Sequence, residues 1–298
     1  MIHYERCPVC GASTIHPVLE AKDYTVSGEM FAVWHCEGCT ARFTQDVPGK
    51  EAIGRYYQSE AYISHSDTKE GLVNRLYHGA RSITLVVKRK LVERATGKTA
   101  ARLLDIGCGT GAFLHTMVQA GWTVKGLEPD PGARERAATR YGLSVEPVDG
   151  LFALEPASFD AITLWHVLEH VHDLRAYVDQ FKRLLRPQGT LFIAVPNYTS
   201  FDAVRYGAAW AAYDVPRHLY HFSPASMERL LEPAGLHIDA VRGMWLDSYY
   251  VSMLSERYRR GKDNFPVAML TGLRSNVRAM FNQGKCSSVI YVIRRSAS

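Results

Sequence analysis

The sequence has no uninterrupted apolar run of about 18 residues, and this absence excludes a membrane-spanning helix. Its first ten residues, MIHYERCPVC, contain no apolar stretch of the kind that a secretory signal needs, so we expect a cytoplasmic protein without disulfides. It also has no internal repeat and no low-complexity segment. Its 298 residues are 47% hydrophobic and 22% charged, which excludes wholesale disorder and predicts one large domain or two unequal ones.

Positive charge is concentrated in two parts of the chain. Residues 72–102 carry 8 Lys and Arg against 1 acidic residue, and residues 200–298 carry 13 against 8, while the whole chain has a net charge of +5. Either part could face an anionic partner such as a nucleotide, a glycan diphosphate, RNA or a membrane surface. Because Leu and Val separate the charges of the first part, a solvated helix face is the interpretation we favour for most of them.

Four of the six cysteines form two C-x2-C pairs with 25 residues between them: Cys7, Cys10, Cys36 and Cys39. Two such turns supply the four thiolates that Zn²⁺ prefers in closed structural sites, so residues 1–48 are predicted to form a zinc ribbon. A redox pair normally occurs alone, and a catalytic zinc leaves one position to water, so both alternatives are less favoured. Cys108 and Cys286 lie outside the pattern and are expected to be small core residues rather than nucleophiles.

Hydrophobic spacing divides the remainder into a linker with a helix, residues 49–98, and one large domain, residues 99–298. In the large domain short apolar runs alternate with amphipathic segments, and helices are expected near 111–120, 131–141, 173–186 and 224–234. Seven strands are predicted, at ARLLDIG, WTVKGLE, SVEPV, FDAITLWH, TLFIAVP, LHIDAVRG and SSVIYVIRR. This alternation predicts an α/β fold, a Rossmann-like, doubly wound sheet.

A helical insertion is predicted before the last strand, over residues 244–287, where the minimal form of such a sheet has a short hairpin. WLDSYYVSMLSERYRRGK and FPVAMLTGLRSNVRAMF are each typical of an amphipathic helix. The pair could cover a substrate cleft, form a dimer or touch a membrane through an apolar face flanked by arginines, and a substrate lid is the interpretation we favour. An acceptor that is anionic or bears phosphate would account for the basic residues Arg257, Arg259, Arg260 and Lys262.

A glycine-rich turn follows the first predicted strand of the large domain. Gly107, Gly109 and Gly111 occupy alternate positions, with Asp105 two residues before them. Glycine there allows positive φ and a close approach of backbone to a ligand. The spacing is neither that of a dinucleotide fingerprint nor that of a phosphate loop, and a carboxylate beside the turn repels a pyrophosphate. Glu128, at the end of the next strand, could accept hydrogen bonds from two ribose hydroxyls.

The motifs LLDIGCGTGAFL, GLEPD, SFDAITLWHVLEHVHD and RLLRPQGTLFIAVPN, in this order over residues 100–240, resemble a class I S-adenosylmethionine-dependent methyltransferase. The resemblance implies that the glycine turn holds the methionine and ribose parts of the cofactor and that Glu128 holds the ribose hydroxyls. It also implies an upstream arginine, Arg81, for the cofactor carboxylate. The implied cofactor-binding set is Arg81, Asp105, Gly107, Cys108, Gly109, Gly111, Glu128, Pro129, Asp149, Gly150, Trp165 and His166.

The ribbon and the segment DVPRHLYHF, residues 214–222, further resemble a bacterial subgroup with zinc-ribbon leaders that includes sugar-modifying relatives. Histidines are dense after the fourth and fifth strands, at the sheet edge where such folds bind ligands, and four are predicted to be catalytic or to bind substrate: His166, His170, His218 and His221. A hydrogen-bonded structural role is the alternative for each one.

A second metal ion is suggested by His166, Glu169 and His170, because LEHV resembles ubiquinone-pathway O-methyltransferases, where carboxylates and a histidine can hold a divalent ion. His166 departs from that pattern, so the second ion is not the interpretation we favour.

Three functions follow from these patterns. The leading one is an enzyme that transfers methyl from S-adenosylmethionine to a small-molecule or glycan-precursor acceptor, with structural zinc in the ribbon. The second is an rRNA or tRNA base methyltransferase with an RNA-binding ribbon, although LWHVLEHV lacks a base-flipping loop and the net charge is modest for a nucleic-acid partner. The third is a non-catalytic binding module, against which the intact glycine turn and Glu128 argue.

Overall fold

The computed structural model describes residues 1–58 and 72–296, with side chains for 1–58 and 83–296. Its strands are β1 (Ile15–Lys22), β2 (Met30–Cys36), β3 (Arg42–Thr44), β4 (Arg102–Ile106), β5 (Thr123–Leu127), β6 (Val145–Glu146), β7 (Phe159–Trp165), β8 (Leu185–Pro196), β9 (Tyr220–His221), β10 (Leu236–Gly243) and β11 (Ser288–Arg295). Its α-helices are α1 (Leu72–Thr96), α2 (Ala112–Gln119), α3 (Pro131–Tyr141), α4 (Leu174–Leu184), α5 (Phe201–Tyr206), α6 (Pro224–Leu231), α7 (Asp247–Arg260) and α8 (Phe265–Phe281).

The large sheet has the seven predicted strands, in the order β10-β11-β8-β7-β4-β5-β6. Strands β6, β5, β4, β7 and β8 run parallel, and β11 is antiparallel to both β8 and β10. Helices cover both faces, so the central strands are buried on both sides: in β7 every residue from Phe159 to Leu164 is buried. The predicted α/β fold class is confirmed. All carboxyl ends of the parallel strands meet at one edge of this sheet.

The small N-terminal sheet does not end with the ribbon. Its order is β1-β2-β3-β9, so its last strand comes from the segment after β8. Arg42 pairs with His221 and Phe43 with Tyr220, and the Thr44 hydroxyl donates to the carbonyl of His218 at 2.7 Å. The two-residue strand β9 was not foreseen from the sequence. Its pairing joins the ribbon to the edge of the large sheet where the parallel strands end.

A buried ion cluster strengthens this junction. The Arg217 guanidinium, 1% exposed, donates to Asp23 at 3.1 Å, to both carboxylate oxygens of Asp214 and to the carbonyl of Tyr56 at 2.8 Å. Hydrogen bonds to Asp214 and Asp23 overcome the effect of burial and raise the pKa of Arg217, so it stays charged. Asp23 begins the turn between β1 and β2, residues 23–29, which we call the ribbon tip. One arginine thus connects the ribbon tip, the segment after the ribbon and the segment after β8.

The predicted insertion consists of α7 and α8, as the sequence indicated. The two helices pack closely because α8 presents a glycine to α7: a Cβ on Gly272 would lie 2.7 Å from the Tyr249 ring. On its other side α7 faces the ribbon tip, where Tyr24 stacks on Tyr258 with ring centroids 4.3 Å apart. Among the described residues, no helix is both long and apolar enough to cross a membrane.

We predict that Arg217→Met lowers the free energy of unfolding by about 3–5 kcal/mol, because it leaves two carboxylates at a buried site without their cation. Arg229→Met is the matched control, since Arg229 pairs with Glu232 on the exposed surface, and it should change little. Denaturant unfolding of both variants measures the difference. Equal stabilities would show that the cluster does not hold the ribbon to the large sheet.

Candidate active site

A cavity of about 990 Å³ opens at the carboxyl ends of the parallel strands. Its floor is the turn after β4 together with the ends of β7 and β8, and its walls come from α1, the ribbon tip, residues 211–218 and α7. The lining residues with polar or aromatic side chains near the floor are Thr84, Lys88, Asp105, Phe113, Trp165, His166, His218 and Asp247. This is the edge at which open α/β sheets bind ligands.

The glycine turn forms part of that floor, and glycine is needed at its three positions for different reasons. All three have positive φ, of 67°, 54° and 78° for Gly107, Gly109 and Gly111. A Cβ on Gly107 would lie 2.4 Å from Val167, and one on Gly111 would lie 2.9 Å from Leu143, so these two allow close packing within the protein. A Cβ on Gly109 would meet nothing within 4 Å. Backbone at Gly109 is therefore the part of the turn that is open to a ligand.

Two carboxylates flank the turn. Asp105 is 1% exposed and accepts a hydrogen bond from the Thr163 hydroxyl at 2.6 Å. Burial, opposed by Thr163 and Lys88, raises the pKa of Asp105 to about 7. Each oxygen of Glu128 accepts one backbone N–H, from Gly109 at 2.8 Å and from Asp130 at 3.0 Å. Each oxygen thus keeps a lone pair that can accept a ligand hydroxyl.

The structure brings about half of the predicted cofactor residues to the cavity. The lining includes Asp105, Gly107, Cys108, Gly109, Trp165 and His166. The others lie outside the lining, in the turn, at its flank or in the 3-10 segment after β6, and their roles stay predictions: Gly111, Glu128, Pro129, Asp149 and Gly150. Burial raises the pKa of the Cys108 thiol, in keeping with a packing role.

Lys88 is a site residue that sequence reasoning missed. It lies on α1, two helical turns after Arg81, whose side chain is outside the described residues. The Lys88 ammonium sits 4.3 Å from the centroid of the Trp165 ring and lines the cavity beside Asp105. Its sequence signal is the concentration of positive charge in residues 72–102, most of which is interpreted from the sequence alone as a solvated helix face. A cation here is well placed to receive a ligand carboxylate, the role that the resemblance implied for Arg81.

His166 is held between two carboxylates at the cavity floor. Its φ of 59° turns the ring away from β7, so that Nδ1 lies 3.4 Å from Glu169 and Nε2 lies 3.2 Å from Asp247. Burial lowers the pKa of this histidine, but the negative charges of Asp247 and Glu169 outweigh burial and raise it to about 9. His166 is therefore an imidazolium that joins β7 to α7. Asp247, which opens α7, was not predicted from the sequence.

Of the other three predicted catalytic histidines, one lines the cavity and two lie behind its wall. His218 lines the cavity, and its Nδ1 lies 2.9 Å from the carbonyl of Ala212. His170 is bonded through Nδ1 to the carbonyl of Arg217 at 2.9 Å, and burial lowers its pKa to about 4. His221 lies 3.1 Å from the Thr44 hydroxyl inside the small sheet. Neither His170 nor His221 is among the residues that line the cavity, and their catalytic role stays a prediction.

The residues suggested for a second ion are also arranged differently from the expectation. Glu169, His170 and His218 can each place one ligand atom within 4.8 Å of the others. Glu169 is fully buried, and neither of its oxygens accepts a hydrogen bond of normal geometry. His166 turns instead to Asp247 and Glu169. The cluster that could hold an ion thus contains His218 in place of His166.

The four ribbon cysteines form a separate cluster whose geometry fits zinc. Their Sγ atoms all lie within 4.8 Å of one another, with Cys7 and Cys39 at 3.6 Å and Cys10 and Cys36 at 3.6 Å. Tetrahedral coordination with Zn–S bonds of about 2.3 Å requires sulfur separations of about 3.8 Å. None of the four lines the cavity. The cluster therefore suits a structural ion that is remote from the chemistry.

The backbone explains why the two cysteine turns match. In each turn the first cysteine's N–H donates to the carbonyl five residues on, Ala12 or Ala41, at 2.9 Å. Its carbonyl in turn accepts the N–H four residues on, from Gly11 or Thr40, at 2.8 Å. Two identical knuckles thus present their thiolates to one centre.

Comparison with known proteins places this geometry in a family. The family described as a methyltransferase domain matches residues 80–241, more than half of the chain and the part that carries the glycine turn, His166 and His218. The chain belongs to the S-adenosylmethionine-dependent methyltransferases. The methyltransferase's methyl donor is accordingly S-adenosylmethionine, and the cavity floor with an open backbone at Gly109 offers it a fitting site.

Named relatives agree with the assignment. A ubiquinone biosynthesis O-methyltransferase from Xylella fastidiosa (strain M23) is 31% identical over 172 residues, which are 53% of this chain and 70% of that protein. One from Xanthomonas oryzae pv. oryzae (strain PXO99A) is 34% identical over 158 residues, 48% of this chain and 66% of that protein. The solved phosphoethanolamine N-methyltransferase 2 of Haemonchus contortus, in complex with S-adenosyl-L-methionine, has a TM-score of 0.52 and 16% identity over 86% of this chain and 62% of its own, which shows the shared fold.

Asp105→Asn should stabilise the free methyltransferase while weakening its cofactor binding. Below pH 3.8 the Asp105 carboxyl is protonated in both the folded and the unfolded states. As the pH rises to about 7, the carboxyl ionises in the unfolded state but stays protonated in the folded state. The free energy of unfolding therefore falls by up to about 4 kcal/mol over this range. Asparagine removes that cost and still accepts the Thr163 hydrogen bond. Denaturant unfolding at pH 8 and pH 4, with calorimetry of S-adenosylmethionine binding, should show higher stability at pH 8 only and about 10- to 100-fold weaker binding. Unchanged affinity would remove Asp105 from the cofactor site.

The ribbon should contain about one zinc ion per chain, and Cys7→Ser should lose it, because metal binding and ribbon folding are one equilibrium. Cofactor affinity should survive, since the glycine turn belongs to the large sheet, whereas turnover should fall with the loss of Tyr24 and Thr25 from the cavity wall. Metal analysis and calorimetry measure both. Cys286→Ser is the control because Cys286 is buried apart from the cluster, and it should keep the zinc. Loss of cofactor binding together with the zinc would contradict this division.

Proposed function

We propose that this methyltransferase transfers the methyl group to a hydroxyl oxygen of a small, largely apolar acceptor. The observation that carries the proposal is the position of His218, which lines the same cavity as the glycine turn. Between them lies the space walled by the ribbon tip and α7. The cavity volume of about 990 Å³ has room for a ring-sized molecule, which favours the small-molecule acceptor over a nucleic acid.

The tautomer of His218 supports a role as general base. Because a carbonyl can only accept, the 2.9 Å contact with Ala212 makes Nδ1 a donor, and in the neutral ring the lone pair is then on Nε2. Asp214 lies 3.8 Å from Nε2 and would stabilise the imidazolium that forms when the hydroxyl proton is taken. His166 cannot serve as this base, since it is already protonated and both of its nitrogens face carboxylates. Its role is to position α7 over the site.

The walls support an apolar acceptor. Tyr24, Tyr250, Leu254 and Tyr258 line the side opposite the floor. Two of the basic residues that suggested an anionic acceptor are paired with carboxylates: Arg257 lines the cavity but pairs with Asp263 at 2.7 Å, and Arg260 pairs with Glu256 at 2.9 Å. The O-methyltransferase names of the relatives agree with an oxygen nucleophile. A glycan precursor remains the second acceptor class in the test.

In the reaction, bound S-adenosylmethionine supplies an electrophilic methyl group. Asp105 and Glu128 would hold the cofactor by its polar groups, and Lys88 would receive its carboxylate. The aromatic walls exclude water and align the acceptor oxygen, which is the main contribution that such a displacement needs from the protein. His218 removes the hydroxyl proton.

His218→Ala should lower kcat by about 10²- to 10⁴-fold, leave cofactor affinity unchanged and be partly rescued by added imidazole, because the missing group is a base. Transfer of labelled methyl into a panel of phenols, sugar nucleotides and RNA measures acceptor class and rate together, with phenols expected to react best. His237→Ala, on the exposed side of β10, is the control and should match the wild type. Full activity of His218→Ala, or transfer to RNA alone, would contradict the proposal.

A further inference from the structure

Helix α8 is built with its small residues inside and its large apolar residues outside. The face packed against the protein consists of Ala268, Thr271, Gly272, Ser275 and Ala279. The large apolar side chains that point outward form what we call the α8 apolar face: Leu270 at 47% exposure, Leu273 at 50%, Val277 at 46%, Met280 at 70% and Phe281 at 89%. This is the reverse of the arrangement of an ordinary surface helix. It resembles helices that pack on one another through small residues while their large side chains contact lipid.

The α8 apolar face is contiguous. Leu270, Leu273, Val277 and Met280 follow one another at steps of three or four residues, so they form one row along the helix. With 100° between successive residues, the five side chains fall within an arc of about 100°. Single exposed apolar residues need no explanation, but a row of this kind marks a contact surface.

The charge beside this row is of one sign. Residues 264–287 contain three basic side chains, Arg274, Arg278 and Lys285, and no acidic one. Arg274 lies one turn after Leu270, and Arg278 lies one turn after Arg274. Both arginines therefore lie along the same side of the row. The Arg278 guanidinium also lies 4.2 Å from the centroid of the Phe201 ring, which fixes it at that flank. An apolar row with a basic flank is complementary to the apolar and anionic layers of a phospholipid surface.

A second copy of the chain fits this face less well. A two-fold symmetric contact through α8 would bring the same basic flank of both copies to one interface. No acidic side chain in residues 264–287 is available there to compensate. Anionic lipid supplies that compensation.

The face also adjoins the mouth of the active site. Asn276, next to Leu273 and Met280 on the helix surface, donates to the carbonyl of Trp245 at 2.8 Å. Trp245 is 38% exposed, and its neighbour Leu246, 45% exposed, lines the cavity. A membrane in contact with α8 would therefore reach the cavity opening.

We propose that the α8 apolar face binds the surface of a membrane that contains anionic phospholipid. Binding through the α8 apolar face would place the cavity mouth at the membrane surface, where an apolar acceptor dissolved in the bilayer can enter the cavity. This entry route rests on the proposed apolar acceptor, whereas the membrane contact itself does not.

The test is sedimentation of the full chain with vesicles of phosphatidylcholine and phosphatidylglycerol at about 0.1 M salt. Wild-type protein should bind, and Leu273→Glu with Val277→Glu should weaken binding by about tenfold or more. Both side chains are half exposed, so the variant should keep its thermal midpoint and its affinity for S-adenosylmethionine. Val118→Glu, which changes an exposed valine on α2 (39% exposed), is the matched control and should bind like the wild type. Arg274→Gln with Arg278→Gln should weaken binding to these vesicles but not to pure phosphatidylcholine.

Each outcome bears on the proposal separately from the enzyme's chemistry, because sedimentation requires no turnover. Absence of binding by the wild type, or equal binding by the glutamate variant, would overturn it. A dimer in sedimentation velocity that Leu273→Glu with Val277→Glu disrupts, without vesicle binding, would assign the face to a second copy and overturn it too. Vesicle binding by a protein that fails to methylate phenols would leave the membrane contact standing and remove the proposed acceptor.

Discussion

The buried Arg217 cluster is the interaction on which the arrangement of the acceptor site depends. A guanidinium that is 1% exposed is tolerated only when carboxylates and carbonyls replace its water, and here they come from three separate segments of the chain. The spacing of the DVPRH segment follows from this requirement. Asp214 and Arg217 pair locally, the carbonyl of Arg217 binds His170, and His218 is left facing the cavity. The cluster thus adds to the pairing of β3 with β9 in fixing the ribbon tip relative to the segment that carries His218.

The opposite side of the cavity is organised by carboxylates. Asp105 and Glu128 beside the glycine turn lose hydration on folding, which raises the pKa of both. The loss of hydration destabilises the free protein, and a bound cationic cofactor offsets it by attracting both carboxylates. The site is therefore suited to cofactor binding at the expense of the stability of the free protein. His166 connects the large sheet to the insertion, since its imidazolium lies between Glu169, just after β7, and Asp247 at the start of α7. The insertion is thereby tied to the sheet as well as to the ribbon.

Local patterns made much of this predictable. The seven strands of the large sheet were found because each is a short apolar run, and the glycine turn and the cysteine knuckles because their residues are close in sequence. The contacts that could not be predicted all join distant segments: β9 with β3, Asp247 with His166, and Lys88 with Trp165. His170 and His221 were expected at the reaction centre because histidines were dense there. Only the tertiary structure shows which side chains of a loop line the cavity, as His218 does, and which pack behind the cavity wall, as His170 and His221 do.

The central claim is that cofactor and acceptor meet between the backbone of Gly109 and the ring of His218. A crystal structure with S-adenosylhomocysteine and a phenolic acceptor tests it most directly. The account predicts the nucleoside product on the glycine turn, its carboxylate near Lys88, and the acceptor oxygen within about 3.2 Å of His218 Nε2. An acceptor whose oxygen is out of reach of His218, or a cofactor bound away from Gly109, would contradict it.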